Sequence, residues 1–571
     1  MPTPFVKLAE LCEKLEKIPE RITKIKMLVS FILTLDKEEI APAVRMIIGK
    51  IFPDWSNETL DISWGTIIKV IKEITRSTKH DVLEAFNITG DPGEMAKILV
   101  EKKGTVKQLT LLSTMIEQIT ILQLFKYLQK ISKIKGEGSR AKKEAILRAL
   151  LSNLSPLEVK YVVKIILGEM RHGVNEGLME EALAKIAKVP VELVERAHMM
   201  LGDIGELAVI SVIEGATGLK KIKMRLFHPI KPMLASQVES VIEALKEHGG
   251  RTAFEFKLDG ARVQIHKDGD RVRIYSRRLT DVTESLPDIV EIIKREIRAN
   301  QVIIEGEVIA IGDNDKPLPF QYLMKRFRRV REIEKTIKDI PVKLYLFDCL
   351  FLDGELLIDL RYDKRWEKLE KIHGNIPLVP RIITDNANEA QEFFKKARDE
   401  GHEGLMAKKL DSEYTPGKRG KKWLKIKEVL DTLDLVIVAA DWGYGRRKDW
   451  LSDYYLAARD PSTNELLIVG KTFKGLTDEE FREITKRLLE LKIGERGRTV
   501  FVKPEIVVEV AFDEIQRSPK YRSGYALRFA RIVKIRYDKK PEEADTIIKV
   551  KELFSKPVSY THLTLPTTER V

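Results

Sequence analysis

Hydrophobic and polar positions change their period twice along this chain. Up to about residue 225, apolar residues recur every three or four positions, as in 5–15 and 141–151, and strand-like alternation is rare. That spacing predicts one helix after another. Ser155 before Pro156 marks one helix start, with the serine as cap and the proline in the first turn. From about 226 to 430, short alternating runs interleave with helical ones. Phe254-Glu255-Phe256-Lys257 alternates, Asp259-Gly260 turns, and Val263-Gln264-Ile265-His266 alternates again, which predicts a strand, a turn and a second strand. Pro229 and Pro232 predict an extended lead into this region, and residues 288–298 predict an amphipathic helix between strands. Beyond about Asp431 the strands shorten, at 435–440, 454–458, 466–469 and 506–510, punctuated by Gly443, Gly445 and Gly470. A small β-barrel suits that length. A helix is expected at 547–554. Residues 556–571 abruptly lose their charge and are expected to form a non-native or disordered tail with no role in the fold.

At 571 residues the chain exceeds a single core, and about two to four domains follow. Charged residues reach 33%, against roughly 25% in an average soluble protein. That excess suits a heat-adapted protein with surface ion-pair networks. The net charge of +13, with basic residues in clusters, points to a polyanionic partner, nucleic acid being the simplest. Lys325-Arg326-Phe327-Arg328-Arg329-Val330-Arg331 places five cations in seven positions, and Arg446-Arg447-Lys448 follows Gly443-Tyr444-Gly445. Charge runs are often only solvated; phosphate contact through Arg328, Arg329 and Arg446 becomes the stronger reading once the chain is suspected of enclosing a duplex. Two cysteines, Cys12 and Cys349, cannot build a disulfide framework, so a reducing, cytoplasmic setting is expected. The lack of a signal peptide or of an apolar run near about 18 residues argues against secretion and membrane spanning. A monomer is expected.

Candidate chemistry centres on Lys257, at the end of its alternating run. A lysine is nucleophilic only when neutral, and its free pKa of roughly 10.4 leaves almost none neutral at pH 7. Nearby cations or a bound metal depress that value. Taken alone, Lys257 before Asp-Gly also fits an ordinary surface hairpin. The segments downstream change the balance. Arg277 lies in Ile274-Tyr275-Ser276-Arg277-Arg278, Glu307 in Ile303-Ile304-Glu305-Gly306-Glu307-Val308, and Phe347 in Leu344-Tyr345-Leu346-Phe347-Asp348. Glu403 opens Glu403-Gly404-Leu405-Met406-Ala407-Lys408, and Lys421-Lys422-Trp423-Leu424-Lys425-Ile426-Lys427 follows. Lys425 and Lys427 share a strand face, so two ammonium groups would hold a phosphate and help lower the pKa of Lys257. Glu307 and Glu403 offer hard oxygen donors for Mg²⁺, with salt-bridged surface carboxylates as the plain alternative. Arg262 and Arg277 suit ribose and phosphate oxygens, because guanidinium forks match oxyanions. Phe347, closing an apolar strand, reads by pattern alone as core.

Lys257-Leu258-Asp259-Gly260-Ala261-Arg262, with these companions in this order, resembles the covalent nucleotidyltransferase superfamily of ATP-dependent DNA ligases, RNA ligases and mRNA capping enzymes. Within it the chain is similar to archaeal ATP-dependent DNA ligases over nearly its whole length. The resemblance implies a multidomain protein: an all-α N-terminal DNA-binding domain at 1–225, an α+β nucleotidyltransferase (adenylation) core at 226–430, and a C-terminal β-barrel OB-fold at 431–555. It implies ATP as cosubstrate, Mg²⁺ or Mn²⁺ as cofactor, and sealing of nicked double-stranded DNA in replication, repair and recombination. The route would run through AMP on Lys257 and then through an adenylated 5′-phosphate. Phe347 would stack on adenine, Glu255 would read its edge, and Glu307 would touch the ribose as well as a metal. Arg419, in Gly417-Lys418-Arg419-Gly420, would contact the nucleotide, and Arg531, in Leu527-Arg528-Phe529-Ala530-Arg531, the leaving pyrophosphate. Ala530 stands where relatives usually carry proline.

In the helical region, Gly136-Glu137-Gly138-Ser139 with Lys142-Lys143, Pro156-Leu157-Glu158 with Lys160-Tyr161, and Gly168-Glu169-Met170-Arg171 with Gly173 resemble the family's DNA-binding domain. Glycines would let the backbone approach phosphates while Arg171 and the lysines neutralise them. Gln108-Leu109-Thr110-Leu111-Leu112 falls where such ligases carry a sliding-clamp segment, with Leu111 and Leu112 in place of the aromatic pair. RNA ligases and capping enzymes usually lack so long a helical region. A catalytically silent DNA-binding scaffold is the rival from another class, and intact Lys257, Glu307, Lys425 and Arg531 weigh against it.

Overall fold

Ser155 and Pro156 start a helix, Pro156–Leu167, as their order predicts: Ser155 accepts from the Glu158 amide, and the Glu158 carboxylate returns to the Ser155 amide at 2.9 Å. Gly168, at φ 70, closes it in the left-handed region that suits a residue without Cβ. In the computed structural model, thirteen such helices run from Phe5–Lys17 to Gly215–Lys221 among the described residues. Their apolar stripes meet in one core that includes Phe5, Leu8, Leu28, Val44 and Val163, each side chain contributing about 1.5–3 kcal/mol on burial. The structure describes residues 2–555 apart from 57, 106–117, 313–315, 319, 328–336, 418, 428–431, 444–446 and 448. Arg328, Arg329, Arg446, the Gln108, Leu111 and Leu112 segment, and the 556–571 stretch therefore lie outside the described residues.

One compact unit comprises Met1–Phe394 and His402–Ile426; a second comprises Lys395–Gly401 and Lys427–Val571. In the first, the helices are followed by β1 (Leu234–Val238), β2 (Thr252–Lys257), β3 (Ala261–Asp268), β4 (Arg271–Ser276), β5 (Gln301–Ala310), β6 (Val342–Leu352), β7 (Glu355–Leu356), β8 (Arg381–Thr384), β9 (Gly404–Lys409) and β10 (Arg419–Lys427). They form two five-stranded sheets, ordered β1-β10-β9-β2-β8 and β4-β3-β5-β6-β7. The predicted helix between strands appears as Pro287–Glu296.

The expected strand–turn–strand at Asp259-Gly260 is a crossover instead of a hairpin. β2 and β3 belong to different sheets, so residues 258–260 carry the chain from one to the other. Backbone proximity explains why Gly260 stands here: a Cβ would come within 2.4 Å of the Val308 carbonyl oxygen. Asp-Gly signals a bend, but its local chemistry does not say which strand the chain meets next.

The second unit is rich in strands. β11 (Leu433–Trp442), β12 (Leu451–Arg459), β13 (Leu466–Thr472), β14 (Lys492–Arg496) and β15 (Thr499–Val502) run in the order β13-β12-β11-β15-β14. β16 (Val507–Ala511) pairs with β11 and with β19 (Arg531–Ile535), and β17 (Glu514–Arg517) pairs with β18 (Tyr525–Arg528). Helix Asp478–Glu490 places Phe481 against Trp450 and Tyr454. The helix expected near the end is Ile547–Ser555.

Candidate active site

Strand alternation on β2 sends Glu255 and Lys257 to one face of their sheet. Opposite them on β9, Met406 faces Glu255 and Lys408 faces Ala253, so Lys408 joins that face. Lys257 Nζ lies 2.7 Å from Glu403 Oε2, and the Glu403 amide donates to the Lys257 carbonyl at 2.9 Å. One ion pair and one backbone hydrogen bond thus hold the lysine at its strand end. From the other sheet, Arg262 on β3 stands directly across from Glu307 on β5. The β5–β6 register shifts between Glu305 and Gly306, leaving Phe347 at a bulge; bulges re-aim side chains beside sites.

Carboxyl groups crowd around this lysine. Burial pushes the Asp259 carboxyl up to about 6, the charge of Glu403 adding to it, while the carboxylate accepts from the Phe320 amide at 3.3 Å. Burial likewise pushes Glu307 up to about 8, against the pull of Lys257 and Arg262 and with Glu403 and Asp259 reinforcing it. Carboxyl groups that burial and mutual repulsion hold back from ionising are hard oxygen donors of the kind a divalent cation favours.

Beneath Phe347 sits a buried ion pair. Lys408 Nζ is 2.6 Å from Glu255 Oε2, and the Tyr362 hydroxyl donates to Glu255 Oε1. Burial pulls the Lys408 ammonium's pKa down, against the charge of Glu255. Arg262 links its own sheet to segments outside it, donating to the Met233 carbonyl and Glu305 Oε2, each at 2.7 Å, and to the Tyr414 hydroxyl at 3.1 Å. Its guanidinium also lies 5.3 Å from the Phe347 ring centroid.

The structure thus gathers Lys257, Glu403, Glu307 and Arg262, with Glu255 and Phe347. Lys425 follows Trp423 by two on β10, and Lys427 ends that strand. Arg277, just past β4, and Arg419, opening β10 opposite Leu234, are exposed. Arg531 opens β19 in the second unit, 3.7 Å from Asp513. Arg171, at φ 56, donates to the Gly90 carbonyl at 2.7 Å and to Glu169 at 2.6 Å. Lys160, grouped by sequence with phosphate-neutralising lysines, is instead buried: Glu13 lies 2.6 Å and Glu16 2.9 Å from its ammonium, with Glu94 also in contact. Arg326, within the basic run, is also buried, paired with Asp288 and donating to the Ile340 carbonyl at 3.1 Å. Reasoning from sequence missed Lys408, Tyr362, Trp423 and Asp259 as parts of the site. Asp259, inside the lysine motif, Lys408, closing the Glu403 segment, and Trp423, in step with Lys425, carried a local signal; Tyr362 carried none.

Three family profiles match in chain order: "DNA ligase N terminus" over 4–184, "ATP dependent DNA ligase domain" over 232–427, and "ATP dependent DNA ligase C terminal region" over 447–539. A DNA ligase of Thermococcus onnurineus is 44% identical over 553 residues, covering 96% of this chain and 97% of the relative. DNA ligase 1 of Korarchaeum cryptofilum is 47% identical over 552 residues, covering 96% and 98%. The chain belongs to the ATP-dependent DNA ligase family. A lysine–AMP intermediate is characteristic of that family. The ligase also resembles in fold the solved structure called Pmar-Lig_PreS3, with a TM-score of 0.56 at 18% identity over 93% of this chain and 99% of that one. Its helical part, nucleotidyltransferase core and strand-rich part follow the order of the three profiles. No helix among the described residues is long and apolar enough to cross a membrane.

Proposed function

We propose that Lys257 is the residue that carries AMP. The observation that carries the reading is its placement: a strand-end amine 2.7 Å from Glu403, on the sheet face that also bears Glu255 and Lys408. The neutral amine attacks the α-phosphorus of ATP, an N–P bond forms, the α–β P–O bond breaks and pyrophosphate leaves. A 5′-phosphate oxygen at the nick then displaces the lysine and takes the AMP. Finally the 3′-hydroxyl attacks that activated phosphate, loses its proton and expels AMP. Each step is phosphoryl or nucleotidyl transfer, so positioning and charge neutralisation do most of the work.

Glu255 and Phe347 take the adenine edge and face; Arg262, Arg277, Arg419, Lys425 and Lys427 surround ribose and phosphates; Arg531 meets the pyrophosphate. Glu307 and Glu403 would hold Mg²⁺, or Mn²⁺ in its place, and Glu307 the ribose. When bound, the cation offsets the charge of Glu403 and of the phosphate oxygens, which favours the neutral amine of Lys257. Arg171, Arg328, Arg329 and Arg446 are proposed to contact nicked duplex DNA, and Gln108, Leu111 and Leu112 a sliding clamp. The protein acts as a cytoplasmic monomer, with domain boundaries near 225 and 430.

Incubation with α-labelled ATP tests the central claim. Wild type takes up covalent label and Lys257→Ala takes up none; label persisting in that variant would overturn the assignment.

A further inference from the structure

Lys408 is the most deeply buried ammonium next to the nucleotide site, and the chemistry proposed above gives it no task. It is 1% exposed, and Glu255 is equally buried. Three aromatic rings enclose its Nζ: the centroids of Trp423, Phe347 and Tyr362 lie 4.4, 4.6 and 4.8 Å away. The remaining polar contacts are Glu255 Oε2 at 2.6 Å and the Phe347 carbonyl at 3.3 Å. Ring faces attract a cation, so the ammonium is held where it stands. Two residues of the proposed base pocket, Glu255 and Phe347, are thereby bound to one side chain.

We infer that Lys408 is a specificity-determining positioning residue: by pairing with Glu255 it fixes that carboxylate as a pure hydrogen-bond acceptor, and so selects a nucleobase that presents an amino group over one that presents a carbonyl. The inference rests on the reading above, in which the base of ATP lies between Phe347 and Glu255. An ionised carboxylate only accepts, each oxygen offering two lone pairs. Tyr362 uses one on Oε1 and Lys408 one on Oε2, which leaves acceptor capacity for the 6-amino group of adenine. Without Lys408 the contact to Oε2 is lost, and the acceptor that meets an amino group is no longer fixed in place. The 6-carbonyl of hypoxanthine or guanine, itself an acceptor, gains nothing from that carboxylate oxygen in either case. Lys408 would thus act on base choice through Glu255, without touching the reacting phosphorus.

Inosine triphosphate is the probe, because it exchanges the 6-amino group for a carbonyl and adds no 2-amino group. Covalent labelling of the full-length protein is measured with α-labelled ATP and ITP, as the rate over nucleotide concentration for each. For Lys408→Met the ATP-to-ITP preference should fall by about tenfold or more, mainly through a raised KM for ATP. Lys408→Arg should restore most of the preference, since it returns the charge. Lys408→Gln gives the same reading should the methionine variant not fold. If Lys408→Met and Lys408→Gln lower labelling by both nucleotides equally, the lysine only supports the core and the inference fails. Glu255→Gln separates the two levels of the argument. A preference that falls in Glu255→Gln but holds in the Lys408 variants sinks the Lys408 inference alone. A preference unchanged in Glu255→Gln removes the base-reading role of Glu255, and the inference with it.

Discussion

His266 shows how one side chain holds the lead into the core. It is fully buried on β3, and its Nδ1 accepts from the Phe227 amide at 2.9 Å while its Nε2 donates to Gln264 Oε1 at 2.9 Å. Gln264 in turn accepts from the Ile230 amide at 2.9 Å. The ring is therefore neutral with its proton on Nε2, and a second proton would face the Phe227 N–H. Burial lowers its pKa from 6.5 to about 3, with the charge of His228 reinforcing the shift. The unfolded chain binds this proton below about 6.5 and the folded one only near 3, so the contribution is present above the upper value and is lost as pH falls. At about 1.4 kcal/mol per pKa unit, the loss is on the order of a few kcal/mol. Urea titrations from pH 7 to 4 should show a steeper loss of stability in wild type than in His266→Gln. Parallel slopes would show that the ring does not titrate this way.

Among the elements, helix Pro156–Leu167 was legible in its start and opaque in its purpose. Ser155, Pro156 and Glu158 announce the capping box locally, so that boundary could be read directly. Which way Lys160 and Lys164 point depends on helices distant in sequence. Glu13 and Glu16 from one helix, and Glu94 with the cap residue Asp91 from another, draw Lys160, an apparent phosphate contact, together with Lys164 into a buried network. The same limit applied at the active site. Lys257 ends its strand, Glu307 lies within one and Glu403 directly precedes one, each beside a run of local alternation, whereas the Glu255–Lys408 pair joins strands far apart in sequence with no period to announce it. Removing one partner of a buried network leaves the other charges uncompensated, typically at a cost of about 3–5 kcal/mol. Lys160→Met should lower stability by that order in chemical denaturation. The loss should shrink toward low pH, because the Lys160 hydrogen bond, working against burial, holds Glu13 at about 2, well below its usual range. A melting point unchanged at neutral pH would contradict the network's role.

At the scale of the whole molecule, 100 basic against 87 acidic residues leave a net charge of +13, but the described cations are not interchangeable. Lys160, Lys164, Arg326 and Arg365 spend their charge inside the protein, Arg365 through two bonds of 2.8 and 2.9 Å to Asp348. Lys325, beside Arg326 on helix Phe320–Phe327, is exposed. Neighbours in one basic run should therefore behave differently toward DNA. Each phosphate neutralised releases a counterion, so the logarithm of the binding constant falls with the logarithm of salt by about 0.9 per contact. With roughly six to ten contacts, affinity for a nicked duplex should drop about 10³- to 10⁵-fold between 50 and 200 mM salt. Lys325→Ala should flatten that slope by about one and leave stability intact. Arg326→Ala should do the reverse, unfolding at lower denaturant because Asp288 loses its partner, while the folded fraction keeps the wild-type slope. Equal slope changes in both variants would mean that burial does not decide which cations meet the phosphates, and a wild-type slope near zero would remove phosphate neutralisation as the source of affinity.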